Sequence, residues 1–318
     1  MGDDLLWFAI GIAGLALGAD SAVRGLAGLA RTRGAGAFMV GLLLAAFGGS
    51  VPDVAVNVAA VGAGNPALAL GNMVGASLVN LGLLLGLAAV LRPLDVRAPV
   101  LRPLGVASMV VALALLAMSH NGRIGFLDGA VLVAGFGVLV ALVLRQPAAA
   151  SDAGVRAQFE SEGEQLQGLG RNLLRIGVGL AVLFYASRAV VTHAVGLAGA
   201  FGVSDLFAGL TFVALGASLP QVALGLIAAR RGLGDVLLAS VIGSNLLNLT
   251  LVLGATALWQ SYPVSESLVR LELPVLLAFS AMLYPLLRGD LRISRGEGGV
   301  LLAAFVALQV FQWWTVTR

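Results

Sequence analysis

The sequence predicts an all-α polytopic membrane protein whose ten transmembrane helices form two inverted five-helix repeats. Three observations carry this reading. Hydrophobic residues make up 59% of the 318 residues and charged residues only 11%. Apolar stretches of membrane-spanning length follow one another along the whole chain. A segment in the first half recurs in the second half at a constant offset.

A soluble domain carries roughly a quarter charged residues, so this chain has too few to cover a water-facing surface. Its 43 glycines would weaken soluble helices but suit helices that pack closely in lipid. A helix needs about 20 apolar residues to cross a bilayer core. Ten stretches qualify: 5–30, 36–62, 67–91, 99–118, 125–145, 172–200, 205–230, 235–258, 268–288 and 297–316. Asn65-Pro66, Arg92-Pro93, His120-Asn121-Gly122 and Gly232-Leu233-Gly234 punctuate them. The one long polar stretch, 146–170, carries Glu160, Glu162 and Glu164. It is read as a linker between a first repeat, 1–145, and a second, 171–318.

Arginine counting sets the orientation. The linker side carries fourteen loop arginines, among them Arg31, Arg92, Arg145, Arg230 and Arg292; the other side carries Arg123, Arg270 and Arg318. By the positive-inside rule the linker is cytoplasmic and both termini are outside. A bacterial or archaeal inner membrane is expected. The acidic start, Met1-Gly2-Asp3-Asp4, does not read as a cleaved signal peptide. With no cysteine, thiolate metal sites and thiol catalysis are excluded. No nucleophile–base pair, cofactor motif or basic-aromatic strip is visible, so neither an enzyme, a bound cofactor nor a nucleic-acid partner is expected. The partners are lipid and inorganic cations, and no oligomeric state follows.

Residues 41–86 match 209–254 at an offset of 168 without a gap, with 18 of 46 positions identical. The core of the first copy, Ala46-Phe47-Gly48-Gly49-Ser50-Val51-Pro52-Asp53, corresponds to Ala214-Leu215-Gly216-Ala217-Ser218-Leu219-Pro220-Gln221. A second patch pairs Gly75-Ala76-Ser77-Leu78-Val79-Asn80 with Gly243-Ser244-Asn245-Leu246-Leu247-Asn248. Five spans per half is an odd number, so the second half enters the membrane from the opposite side. Inverted repeats of this kind mark secondary transporters, whose sites form near the midplane from interrupted helices. Gly48 with Pro52 and Gly216 with Pro220 are the expected helix breaks. A proline frees the carbonyl four residues earlier, and irregular backbone at membrane depth belongs beside a cavity or in the protein interior. Carbonyls, hydroxyls, amides and one carboxylate are the oxygen ligands that hard cations take.

At these residues the chain resembles the calcium/cation antiporter superfamily, specifically its sodium/calcium exchanger type. The family carries a Gly-Thr-Ser-x-Pro-Glu core in each half, followed by a Gly-Ser-Asn-like patch. The resemblance implies ten helices and a cation site between the second, third, seventh and eighth. By position the ligands are the side chains of Ser50, Asp53, Asn80, Ser218, Gln221, Ser244 and Asn248, with the carbonyls of Ala46 and Ala214. It also implies that Na+ entry drives Ca2+ export by alternating access, the first and sixth helices sliding across the rest. The chain departs from the family pattern where the two acids stand: the first is Asp53, the second Gln221.

Charge counting keeps two transport readings open. A divalent ion beside one carboxylate leaves a net positive charge in a poorly solvated site, whereas one Na+, K+ or H+ leaves it neutral. The alternatives to Na+/Ca2+ exchange are therefore monovalent Na+/H+ or Na+/K+ exchange through Asp53 alone, and a non-transporting scaffold or sensor.

Other polar residues have structural expectations. Asp20 stands four residues before Arg24, the spacing of a same-helix ion pair; at the repeat offset it also aligns with Arg188. Asp128, Asp205, Asp235 and Glu272 are expected to cap helices, and His193 to be a hydrogen-bonded structural residue.

Overall fold

A computed structural model describes residues 2–32, 50–95, 101–144, 168–288 and 292–316. Helix α1 spans Gly2–Thr32 and α2 Val51–Gly62. Helix α3 spans Pro66–Leu91, α4 Leu101–Met118 and α5 Phe126–Leu144. After the linker come α6, Leu169–Phe201; α7, Asp205–Arg230; and α8, Gly234–Ala257. Helix α9 is a π turn, Leu268–Glu272, continued by Leu273–Arg288, and α10 spans Arg295–Val316. Among the described residues seven helices are long and apolar enough to cross a membrane, and α2 and α5 are shorter apolar helices. The linker is described only from Gly168, and α6 begins at Leu169, two residues before the expected start of the second repeat.

Local chemistry explains the helix starts. The Asn65 side chain accepts from the Leu68 backbone N–H at 3.1 Å, and Pro66 fills the first helical position, where a missing N–H costs nothing. Ser204 caps α7 by accepting from Phe207 N–H at 3.2 Å. Ser294 and Glu297 form a reciprocal capping box at α10: Ser294 Oγ accepts from Glu297 N–H, and Glu297 Oε2 accepts from Ser294 N–H at 2.7 Å. Asp128 meets its expectation by accepting from Gly125 N–H at 2.9 Å. Glu272 does not: it is buried and pairs with a side chain on another helix.

The sequence offset reappears in the backbone. Gly64 and Gly232 both take φ +77°, the left-handed conformation that closes a helix without a Cβ penalty. The π-helical run Val79–Leu84 inside α3 matches Leu247–Val252 inside α8. Of four short strands, β1 (Leu94–Asp95) and β3 (Tyr262–Pro263) keep this offset, while β2 (Arg123–Ile124) and β4 (Arg292–Ile293) are one residue further apart. Strand β1 pairs antiparallel with β4, and β2 with β3, so each ladder joins one strand from each half. Buried Tyr262 donates its hydroxyl to Thr256, and burial pushes its phenol up to about 12, so it stays a donor.

The halves interdigitate. Helix α1 packs along α6, α4 against α9, α3 against α7 and α10, and α5 against α8. Small residues permit this. A Cβ on Gly71 of α3 would lie 2.3 Å from the Leu206 carbonyl oxygen, and one on Gly209 of α7 would lie 2.2 Å from that of Leu68. Only glycine allows the α3–α7 backbones so close. The outer faces are apolar, as at Leu17, Leu127 and Tyr185, which suits a lipid solvent. Trp7, Trp259, Trp313 and Trp314 are exposed near helix ends, where interfacial anchors sit.

Candidate functional site

The site grows from the start of α2. Ser50 precedes the helix, Pro52 stands in its first turn, and Asp53 follows in that turn, where the helix dipole favours an acid. All the site's polar side chains named below are buried. Asn248 Nδ2 donates to Asp53 Oδ2 at 3.3 Å, linking α8 to α2. Ser50 Oγ donates to Ser244 Oγ at 2.7 Å, and Ser244 Oγ donates to Gln221 Oε1 at 3.3 Å. This chain of bonds joins α2, α8 and α7. Asn80 Nδ2 donates to Asn245 Oδ1 at 2.9 Å, and Asn245 Nδ2 to the Ser77 carbonyl at 3.4 Å, closing α3 onto α8.

Among the expected ligands, Asp53 therefore meets Asn248, and Ser50 meets Ser244 and through it Gln221, across helices from both halves, while Asn80 of α3 bonds Asn245 of α8. Ser218 is buried on α7 with its hydroxyl unpartnered. Ala214 is buried at the end of the π run Gly209–Val213, against Gly75 of α3. Ala46 and Gly48 lie outside the described residues.

The expected helix breaks take a different form. Helix α7 continues through Pro220, and a Cβ on Gly216 would meet Ile12 of α1 at 2.6 Å. Gly216 is thus a packing glycine. The departure from α geometry occurs as π turns: Gly209–Val213 before Ala214, and the two repeat-related runs that hold Asn80 and Asn248. Such turns are frequent at functional sites because one inserted residue re-aims the side chains that follow.

Sequence reasoning missed Asn57, Asn72 and Asn245. Asn72 Nδ2 donates to Asn57 Oδ1 at 2.8 Å, and Asn72 also lies beside Asp53. Two signals pointed to them: Asn57 follows Asp53 by one helical turn, and Asn245 occupies the repeat position of Ser77.

Several buried oxygens here have no hydrogen-bond partner: Asp53 Oδ1, Asn72 Oδ1, Asn80 Oδ1, Asn248 Oδ1 and Ser218 Oγ. Orphaned acceptors are costly in a low-dielectric interior. Carboxylate, amide and hydroxyl oxygens are the ligand types a hard metal ion takes, so the chemistry of these acceptors fits such an ion as cargo. Among the described residues no three His, Cys, Asp or Glu side chains gather, and Asp53 is the carboxylate among the buried polar residues named here.

The remaining polar pairs lie elsewhere. Asp20 pairs with Arg24 at 2.8 Å, while Arg188 lies 5.5 Å from the Phe184 ring centroid, so in this conformation the two are not partners. His193 Nδ1 meets Asp4 Oδ1 at 3.0 Å, tying α6 to α1. Asp205 accepts from Asn65 Nδ2 at 2.9 Å.

Comparison with known proteins points to one family. The family described as sodium/calcium exchanger protein matches residues 4–145 and 172–314. The putative antiporter CaxA of Alkalimonas amylolytica is 31% identical, over 94% of this chain and 95% of its own. The inner membrane protein YrbG of Escherichia coli is 32% identical over 98% of both chains. The sodium/calcium exchanger MaX1 of Methanosarcina acetivorans is 26% identical over 95% of this chain and 96% of its own. A structure of the sodium-calcium exchanger NCX_Mj superposes with a TM-score of 0.66 at 26% identity, covering 96% of this chain and 97% of that one. A match of this extent in both halves, around a buried oxygen-rich site, places the chain in the sodium/calcium exchanger family of membrane cation antiporters.

Proposed function

We propose that this protein is a secondary-active antiporter that binds its cation near the membrane midplane between α2, α3, α7 and α8. One observation carries the reading: buried acceptor oxygens without partners are contributed by both halves, and one of them belongs to the carboxylate of Asp53, which Asn248 of the second half contacts. The ligands are Ser50, Asp53, Asn80, Ser218, Gln221, Ser244 and Asn248, with the carbonyls of Ala46 and Ala214. Na+ is one of the exchanged ions. Ca2+ is the counter-ion by family likeness, since NCX_Mj and MaX1 are described as sodium/calcium exchangers.

The ten-span inverted architecture belongs to the same proposal. Turns and π runs that recur at one offset support it, as do the reciprocal strand pairs. With the linker inside and both termini outside, α1 and α6 form the pair of long helices that slides to alternate access. A continuous glycine-lined seam between them supports treating the pair as one body: Gly11, Gly14 and Gly18 of α1 each abut α6.

A second reading rests on Gln221. It stands at the repeat position of Asp53, so the ligand set carries one negative charge instead of two. Monovalent exchange, Na+ against H+ or K+, leaves this site neutral in both half-cycles.

Flux in Na+-loaded proteoliposomes separates the readings. Ca2+ uptake that needs the outward Na+ gradient and vanishes in Asp53→Asn supports Na+/Ca2+ exchange. A Na+-dependent change in internal pH or K+ without Ca2+ uptake supports the monovalent reading. Silence in all three assays overturns the antiporter proposal.

A further inference from the structure

Glu272 is the other deeply buried acid among the described residues, and the transport site does not use it. It ends the π turn that opens α9 and is 4% exposed; Gln312, near the end of α10, is 3% exposed. Gln312 Nε2 donates to Glu272 Oε1 at 3.0 Å. Two buried oxygens are then left without partners, Glu272 Oε2 and Gln312 Oε1.

We propose that Glu272 is a proton-binding site separate from the cation site, held as a neutral carboxylic acid in a two-bond clasp with Gln312 that ties α9 to α10.

The argument is one of donors and acceptors. An ionised carboxylate only accepts, and a glutamine oxygen only accepts. With Glu272 ionised, the second oxygen of each group faces the interior with nothing to bind. A proton on Oε2 supplies the one missing donor. Oε2–H then points at Gln312 Oε1 while Gln312 Nε2–H points at Oε1 of the acid. Both orphaned atoms are satisfied by the same proton, in the ring that an acid and a primary amide form.

Among the described residues no positive charge competes for this role. Arg270 is exposed and pairs with exposed Glu266 one turn away. Helix α4, packed on α9, carries only Arg102, near its opposite end. On α10, Arg295 and Glu297 stand seventeen and fifteen residues before Gln312, more than about 20 Å along the helix. His120 and Arg123, in the loop after α4, are exposed. Asp205, on the α7 segment whose Phe207 ring lies 6.0 Å from the Trp313 ring, is bound to Asn65. An ionised Glu272 would be a bare anion inside a membrane protein, which is costly.

The test is infrared spectroscopy of the purified protein in lipid nanodiscs at neutral pH, with Asp53→Asn as background to remove the other buried carboxyl. The expected result is a protonated-carboxyl stretch that shifts in D2O and disappears when Glu272→Gln is added. Gln312→Leu gives an independent reading: the band stays but moves to higher frequency as the acid loses its hydrogen-bond partners. The apparent melting temperature of the Asp53→Asn protein falls as pH is raised to about 10 and the proton is removed. Adding Glu272→Gln, whose amide keeps both bonds, abolishes most of that fall. Absence of any protonated-carboxyl band that depends on Glu272 overturns the proposal. So does a melting temperature that rises with Na+ concentration while no such band is present, which would make the clasp a metal site instead.

Discussion

At Asp53 one carboxylate oxygen meets Asn248 and the other has no partner. Replacing that carboxylate with its isosteric amide removes the site's charge and leaves the volume unchanged. Asp53→Asn is expected to lower coupled flux to the liposome background while leaving the melting temperature within a few degrees of wild type; gradient-driven flux in the variant would remove Asp53 from the site. Gln221→Glu tests the charge argument in the other direction. Ser244 Oγ already donates to Gln221 Oε1, so a carboxylate there finds a donor waiting. The variant is expected to bind Ca2+ at least about tenfold more tightly than wild type, since added anionic ligands raise affinity in oxygen sites. Competition of Ca2+ against radioactive Na+ binding reads this directly. Asp20→Asn, by contrast, breaks only an exposed pair of the kind worth about 0.2–1 kcal/mol.

At the scale of elements, the helices were legible and their irregularities were not. The bilayer demands a minimum apolar length, and hydropathy reports that length directly. The described segments of all ten stretches are helical at nearly the expected bounds. The π turns have no such signature: they are set by which carbonyl an N–H finds, and Val79–Leu84 reads as ordinary apolar helix. For the same reason Pro220 promised a break that the structure does not make, since α7 continues through it. The buried polar cluster was legible where the repeat aligned rare polar residues, as at Ser50 with Ser218 and Asn80 with Asn248. Its members Asn57, Asn72 and Asn245 were missed because the two copies differ there, the repeat partners being Gly225, Ser240 and Ser77. Packing makes its own prediction. Gly209→Ala drives a Cβ into the Leu68 carbonyl across the α3–α7 crossing, at a cost of roughly 1–3 kcal/mol. Its melting temperature should drop clearly below that of Gly135→Ala, whose added Cβ meets nothing within 4 Å.

The whole molecule is organised by its twofold repetition. Each half supplies one long helix to the α1–α6 pair, one strand to each ladder, and polar residues to one site. The proposed orientation rests on the arginine asymmetry and predicts that a reporter active only outside the cytoplasm works when fused after Arg318, while one active only in the cytoplasm is silent there. Signal from the cytoplasmic reporter would invalidate the ten-span arrangement.

The crossed strand pairs, β1 with β4 and β2 with β3, bear on how such a chain is made. During synthesis the first half emerges with β1, β2 and the faces of α3, α4 and α5 lacking their mates, since these come from the second half. Neither ladder can form until the second half is made. Assembly is therefore a meeting of two fragments that happen to share a peptide bond. Two genes, one encoding 1–150 and the other 165–318, are expected to yield a co-purifying, working complex, while either fragment alone is degraded. Descent from a single ancestral gene whose product paired with a second copy of itself would have needed no more than this.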